Sequence, residues 1–196
     1  MILPIVAYGD AVLKKVAKDI DANYPNLDSL IENMWETMYH AHGVGLAAPQ
    51  VGLPIRLFVI DATPFADDDE LSSEEQEALT GFKEVFINAE IIEETGAEWS
   101  FNEGCLSIPD VREDVLRKPD IRIRYTDAQF KEHTKSFSGL LARVIQHEYD
   151  HIEGILFTDK LSSLKKRILK GRLSNISKGK IQAEYRMRFP EMKKGR

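Results

Sequence analysis

One cysteine in 196 residues, Cys105, leaves no partner for an internal disulfide. That excludes a fold built on disulfide bridges and suits a reducing compartment. No stretch approaches the roughly 18 apolar residues of a membrane-spanning helix. The apolar start, Met1–Tyr8, is short and lacks the charged lead and cleavage site of a signal peptide. A cytoplasmic protein with no membrane partner is therefore the expectation. No internal repeat is present. The one Gly-X-Gly, at Gly43–Gly45, has neither a third glycine nor a Lys-Ser/Thr ending, which argues against a nucleotide-binding loop.

What remains is a chain with 43% apolar residues, enough for one core and one domain of ordinary size. Its net charge of −6 is unevenly spread. Residues 63–80 hold Asp67, Asp68, Asp69, Glu70, Glu74, Glu75 and Glu77 with few apolar anchors, and read as an exposed, mobile acidic insertion that aids solubility. Residues 160–196 invert the sign, with 13 Lys+Arg against two acidic residues, a net +11. Such a tail is either a solvated helix with a frayed end or a surface for ribosomal RNA.

The coarse pattern is mixed. Residues 10–19 and 26–41 read as helices, the second with Leu30, Met34, Trp35 and Met38 recurring at helical spacing. Strand-like stretches follow at 55–61, 84–92, 97–102, 120–126 and 132–138, and then a helix at about 139–152. Strands in the middle with a helix laid against them predict an α+β fold. Antiparallel or mixed sheets would pack around that central helix, with a helical carboxyl-terminal tail. The expected division is a catalytic part over 1–164, including the insertion, and a basic tail over 165–196 of the same domain.

Chemistry concentrates in three places. In Gln146-His147-Glu148-Tyr149-Asp150-His151 the two histidines are four apart, so on a helix both imidazoles share a face and can reach one metal ion. Glu148 projects beside that ion, where a carboxylate can take a proton from water. A catalytic site of this kind needs a third protein ligand and an open position. The long zinc-protease motif would put a histidine where this chain has Phe157; Glu153 would lie on the far side of the helix, and Glu184 sits in the basic tail. Cys105, within Glu103-Gly104-Cys105-Leu106-Ser107, is the remaining soft donor, although a lone cysteine is often only a small buried side chain. The third place is Gly43-Val44-Gly45-Leu46-Ala47-Ala48-Pro49-Gln50, where small residues allow a close approach to a ligand or simply make a tight turn. Gln50 could donate to an oxyanion.

In that order and at those intervals the three segments closely resemble the signature motifs of peptide deformylases, over most of the chain from Leu3-Pro4-Ile5 to about Leu164. The resemblance implies removal of the formyl group from the initiator methionine of newly made polypeptides. It implies Cys105, His147 and His151 as ligands of one divalent metal, Fe2+ in the cell with Zn2+, Ni2+ or Co2+ as replacements. Glu148 would act as base and then acid, with the Gln50 amide and the backbone N–H of Leu106 stabilising the oxyanion. The backbones of Gly43, Val44 and Gly45 and of Glu103 and Gly104 would flank an extended peptide. Gly45 would leave room for a formyl group and nothing bulkier. Val44, Leu140, Val144 and the His147 ring would line the methionine pocket, and Arg112 would bind the peptide backbone. Arg143 departs from the apolar residue frequent in the family and is expected to rim the pocket. The partners implied are N-formylmethionyl nascent peptides and the ribosome through the basic tail, with no DNA and a monomeric state. Two rival readings share the histidine pair: a metallopeptidase, which needs a downstream ligand the chain lacks, and a structural metal module, which needs four ligands where three are convincing.

Overall fold

A computed structural model describes residues 1–190; the last six positions of the expected tail lie outside the described residues. The chain runs through β1 (Ile5–Val6), α1 (Leu27–His40), β2 (Gly45–Ala47), β3 (Leu57–Asp61), α2 (Ser73–Leu79) and β4 (Lys83–Thr95). It continues with β5 (Trp99–Cys105), β6 (Ile108–Arg117), β7 (Asp120–Thr126), β8 (Glu132–Ser138), α3 (Gly139–Ile152), α4 (Ser163–Ser177) and β9 (Met187–Arg188). The fold is α+β. A five-stranded antiparallel sheet has the order β2-β3-β4-β7-β8, β5 and β6 form a separate hairpin, and β1 pairs in parallel with β9. No described helix is long and apolar enough to cross a membrane.

Side-chain alternation explains the layering. Successive residues of a strand point to opposite faces. In β3, Phe58 and Ile60 join the cluster that holds Leu141, Ile145 and Ile152 of α3, whereas Leu57 and Val59 join the one that holds Ile31, Met34 and Met38 of α1. The sheet is thus covered on one face by α3 and on the other by α1, each buried Leu or Ile contributing about 1.5–3 kcal/mol. A third cluster packs Leu169, Leu173 and Ile176 of α4 onto Ile108, Val111 and Val115 of β6.

Several expectations change. Residues 10–19 form only a 3-10 turn, Ala11–Lys14, because Lys15 turns extended (φ −88°, ψ 135°) and leaves Val16 exposed. The acidic segment 63–80 has more anchors than its composition suggests. It contains α2, capped by the exchange of hydrogen bonds between Ser72 and Glu75, with Leu79 buried in the core beside α3. β6 was not anticipated at all. The basic segment, read either as a solvated helix with a frayed end or as a ribosomal RNA surface, buries one face of α4 and returns through β9 to β1.

Candidate metal centre

Cys105 ends β5, at a register shift in the hairpin where Gly104 pairs with Arg112 but Cys105 pairs with Ile108. Such an irregularity re-aims a side chain. Here it turns the thiol toward α3, whose four-residue spacing sets His147 and His151 edge to face with ring centroids 5.1 Å apart. One donor atom from each of Cys105, His147 and His151 lies within 4.8 Å of the others, and Cys105 Sγ is 3.3 Å from His151 Nε2. Burial holds the His151 imidazole well below its ordinary pKa, so it is neutral, as a ligand must be. Burial acts the same way on His147, but hydrogen bonds with Cys105 and Glu103 outweigh it and raise its pKa to about 10. A soft thiol beside two imidazoles, in a buried pocket, fits a divalent transition metal, whose binding would release that proton.

Glu103 organises the surroundings. Its Oε2 meets His147 Nδ1 at 2.9 Å, leaving Nε2 as the free ring nitrogen. Arg117 grips the same carboxylate from two sides, Nε to Oε1 at 2.7 Å and Nη2 to Oε2 at 3.0 Å, while its Nη1 reaches Asp150 Oδ2 at 2.7 Å. Burial alone would raise the Glu103 pKa; the hydrogen bonds from His147 and Arg117 reverse this and keep the carboxylate ionised well below the usual range. Arg143 lines the cleft, as expected, but not as an exposed charge: it is 2% exposed and donates to Glu103, Val115 and Trp99.

Glu148 is 4% exposed, and its Oε2 has no hydrogen-bond partner among the described residues. Burial pushes its pKa up to about 7. Gly45 faces it so closely that a Cβ there would lie 2.7 Å from Glu148 Cδ. Gln50 is also buried. Its Oε1 accepts from Ala47 N–H at 2.8 Å, and its Nε2 is left with long contacts to Ser107 Oγ (3.4 Å) and Cys105 Sγ (3.5 Å).

These groups open onto a cleft of about 1050 Å³. Gly43, Val44, Gly45, Gln50, Glu103, Gly104, Cys105, Leu106, Arg112, Val144, His147 and Glu148 all line it, as the motifs predicted. His151 lies behind them, buried. Leu140 does not line the cleft; it belongs to the core cluster of α3. The sequence reading missed Phe65, Phe101, Ile108 and Val111, and missed the stretch Gln182–Tyr185. Nothing in the local pattern of that stretch places it near residues 80 positions earlier.

Three donors converging beside a carboxylic acid that titrates near neutrality make this the equipment of a metal-dependent hydrolase. The polypeptide deformylase family model matches residues 2–167. The chain is 69% identical to the peptide deformylase of Christiangramia forsetii and 66% identical to that of Flavobacterium johnsoniae, each over the full length of both proteins. The crystal structure of a peptide deformylase from Legionella pneumophila superposes with a TM-score of 0.77 at 36% identity, covering 92% of this chain and 98% of that one. The chain belongs to the polypeptide deformylase family. It is an enzyme that hydrolyses the N-formyl group from N-formylmethionyl peptides.

Proposed function

We propose that deformylation is carried out by Glu148 as proton carrier, with Gln50 and Leu106 as oxyanion donors and Cys105, His147 and His151 holding one divalent metal. The observation that carries this reading is the juxtaposition of the three donors with the unpartnered Glu148 carboxylate. Iron(II) suits a set containing one soft thiolate, with Zn2+, Ni2+ and Co2+ as substitutes. When bound, such an ion acidifies water and polarises a carbonyl oxygen.

The protein supplies the rest. Glu148 takes the proton of the attacking water on a carboxylate oxygen and returns it to the departing methionine nitrogen, one group serving as base and then acid. Gln50, pinned through Oε1, keeps its Nε2 hydrogens for the charge that develops on the formyl oxygen. Leu106 N–H is the second donor, each being worth about 3 kcal/mol of barrier. Glu103 fixes the His147 ring, so that its free nitrogen stays aimed at the ligand position. Gly43, Val44 and Gly45 on one side and Glu103 and Gly104 on the other pair with the extended peptide backbone, assisted by Arg112. Val44 and Val144 receive the methionine side chain.

We also assign the machinery to residues 1–164, with 165–196 as part of the same domain, in a cytoplasmic monomer. The basic stretch is a ribosomal RNA contact. It is supported by the exposed Lys166, Arg167, Lys170, Arg172, Lys178 and Lys180 on and after α4.

The test is turnover of a formyl-Met tripeptide by anaerobically purified protein, beside the acetyl-Met and unformylated peptides, with metal content measured on each sample. Formyl-specific release should vanish with a chelator, and should fall by about 10²–10⁴-fold in Glu148→Ala while the variant keeps its metal. Internal peptide cleavage, or full activity in Glu148→Ala, would overturn the assignment.

A further inference from the structure

After α4 the chain turns back through Gly179 (φ +66°) and runs along the cleft as Gln182, Ala183, Glu184 and Tyr185 before pairing as β9 with β1. One hydrogen bond ties this return directly to the turn after Cys105, and two more link both of them to the amino-terminal strand. Tyr185 Oη donates to the Leu106 carbonyl at 2.7 Å, Ile5 N–H donates to Arg186 O at 2.9 Å, and Tyr8 N–H donates to Ser107 O at 2.9 Å. Leu106, Tyr185 and Met187 also pack together against the α1 cluster. The return segment is therefore fixed against the catalytic turn rather than lying loosely across it.

A cleft of about 1050 Å³ exceeds the usual upper size of a small-molecule pocket, about 1000 Å³. An extended peptide advances about 3.3 Å per residue, so the second and third residues of a substrate lie well along it. The charges exposed on its walls are few. Arg112 is engaged with Asn102 through Nε (3.0 Å) and Nη2 (2.6 Å). Two exposed carboxylates remain, Asp110 and Glu184. Asp110 is near enough to Tyr185 to raise its phenol pKa, together with burial and Cys105. Glu184 precedes the anchored tyrosine in the chain, and both carboxylates line the same cleft as Tyr185. Among the described residues neither has an ion-pair partner.

We infer that Gln182–Tyr185 is a substrate-contacting wall, anchored by the Tyr185 hydroxyl on Leu106, and that Glu184 favours formyl-Met peptides with a basic side chain beyond the methionine. This rests on the deformylase assignment of the same cleft. Tyr185 is a positioning residue here, and Glu184 a specificity-determining one. Exposed charge pairs are worth about 0.2–1 kcal/mol and are screened by salt.

The test measures kcat/KM for formyl-Met-Ala-Lys and formyl-Met-Ala-Glu at low and high ionic strength, using the metal-loaded full chain. Wild type should prefer the lysine peptide by about two- to fivefold at low salt, and the preference should flatten at high salt. Glu184→Lys should invert the ratio. Glu184→Gln, which removes only the charge, should bring it toward one and keeps the test decisive if the lysine variant folds poorly. Tyr185→Phe should shrink the ratio, a change that a purely structural hydroxyl would not produce. Equal turnover of the two peptides by wild type, or a ratio untouched by the Glu184 variants, overturns this proposal alone. No formyl release from either peptide overturns the deformylase assignment and this proposal with it.

Discussion

Arg143 Nη1 lies 3.0 Å from Glu103 Oε1, and the same guanidinium reaches the carbonyls of Val115 (3.0 Å) and Trp99 (2.7 Å). One buried cation therefore joins α3 to both strands of the hairpin that delivers Cys105. Its plane also lies over the Trp99 ring, 4.4 Å from the centroid. Replacing it with methionine would keep the volume but take one of two donors from Glu103 Oε1 and a donor from each of two backbone carbonyls. Removing one partner of a buried ionic network costs about 3–5 kcal/mol. At about 2–4 °C per kcal/mol in a chain of this size, Arg143→Met should lower Tm by roughly 10 °C. Arg112→Ala, at an exposed position, should stay within about 2 °C. Thermal unfolding of the two variants side by side checks this.

Gly45 has no room for a methyl group, because its Cβ would press on the Glu148 carboxylate. Displacing a catalytic group by about 1 Å costs on the order of 100-fold. Gly45→Ala should show that loss in kcat while its metal content matches wild type. A variant with normal kcat would mean that Glu148 can work from another rotamer.

How much of this was legible beforehand depended on which way each side chain faces. The strands β3 and β7 announced themselves because their inward positions are apolar, as in Ile121, Ile123 and Tyr125, and α3 because Leu141, Ala142, Val144, Ile145 and Ile152 give it an apolar side. The candidate site residues that meet in the cleft were legible because they sit in three short local motifs. β6 was hidden for the opposite reason. Its inward-facing series is Val111, Glu113, Val115 and Arg117, and the two charged members break the alternation because Arg117 serves Glu103. The burial of Arg143 was not legible, since a lone arginine in a helix reads as surface, and only the buried carboxylate across from it explains its position. Tyr185 carried no local signal, because its partner is 79 residues away.

Tyr39 Oη donates to Asp61 Oδ2 at 2.7 Å, joining the end of α1 to the end of β3. Burial alone would raise the Asp61 pKa, but hydrogen bonds from Tyr39 and Thr63 and the nearby Lys83 lower it overall. A carboxylate with a lowered folded-state pKa stabilises above its unfolded value, near 4, and the contribution fades as pH falls through the folded one. Tyr39→Phe should therefore cost about 0.5–1 kcal/mol at pH 7 and progressively less in acid below about pH 4. Paired denaturant titrations at neutral and acid pH measure the difference; an equal cost at both would remove the ionised carboxylate from the account.

The basic face of α4 can be tested without disturbing its buried side. Lys170 and Arg172 are exposed, whereas Leu169 and Leu173 pack under the helix. Lys170→Glu with Arg172→Glu should weaken ribosome binding and lower its logarithmic salt slope by about 2. Binding that is unchanged in strength and slope would end the ribosomal reading of this helix. Cutting the chain after Leu164 would be a poor substitute, because it removes the α4 side of the third core cluster and the cleft wall together.

The pairing of β1 with β9 gives the site an order of assembly. The Gly43–Gln50 loop, Cys105 and both histidines are all translated before Tyr185. A chain still being made can already present the three candidate metal donors while the hydrogen bond to Leu106 has no donor to form it. Joining Ile5 to Met187 also closes nearly the whole chain into a single loop. Contacts between such distant positions are entropically slow to form. The Gln182–Tyr185 wall of the cleft is thus completed only when nearly the whole chain has been made.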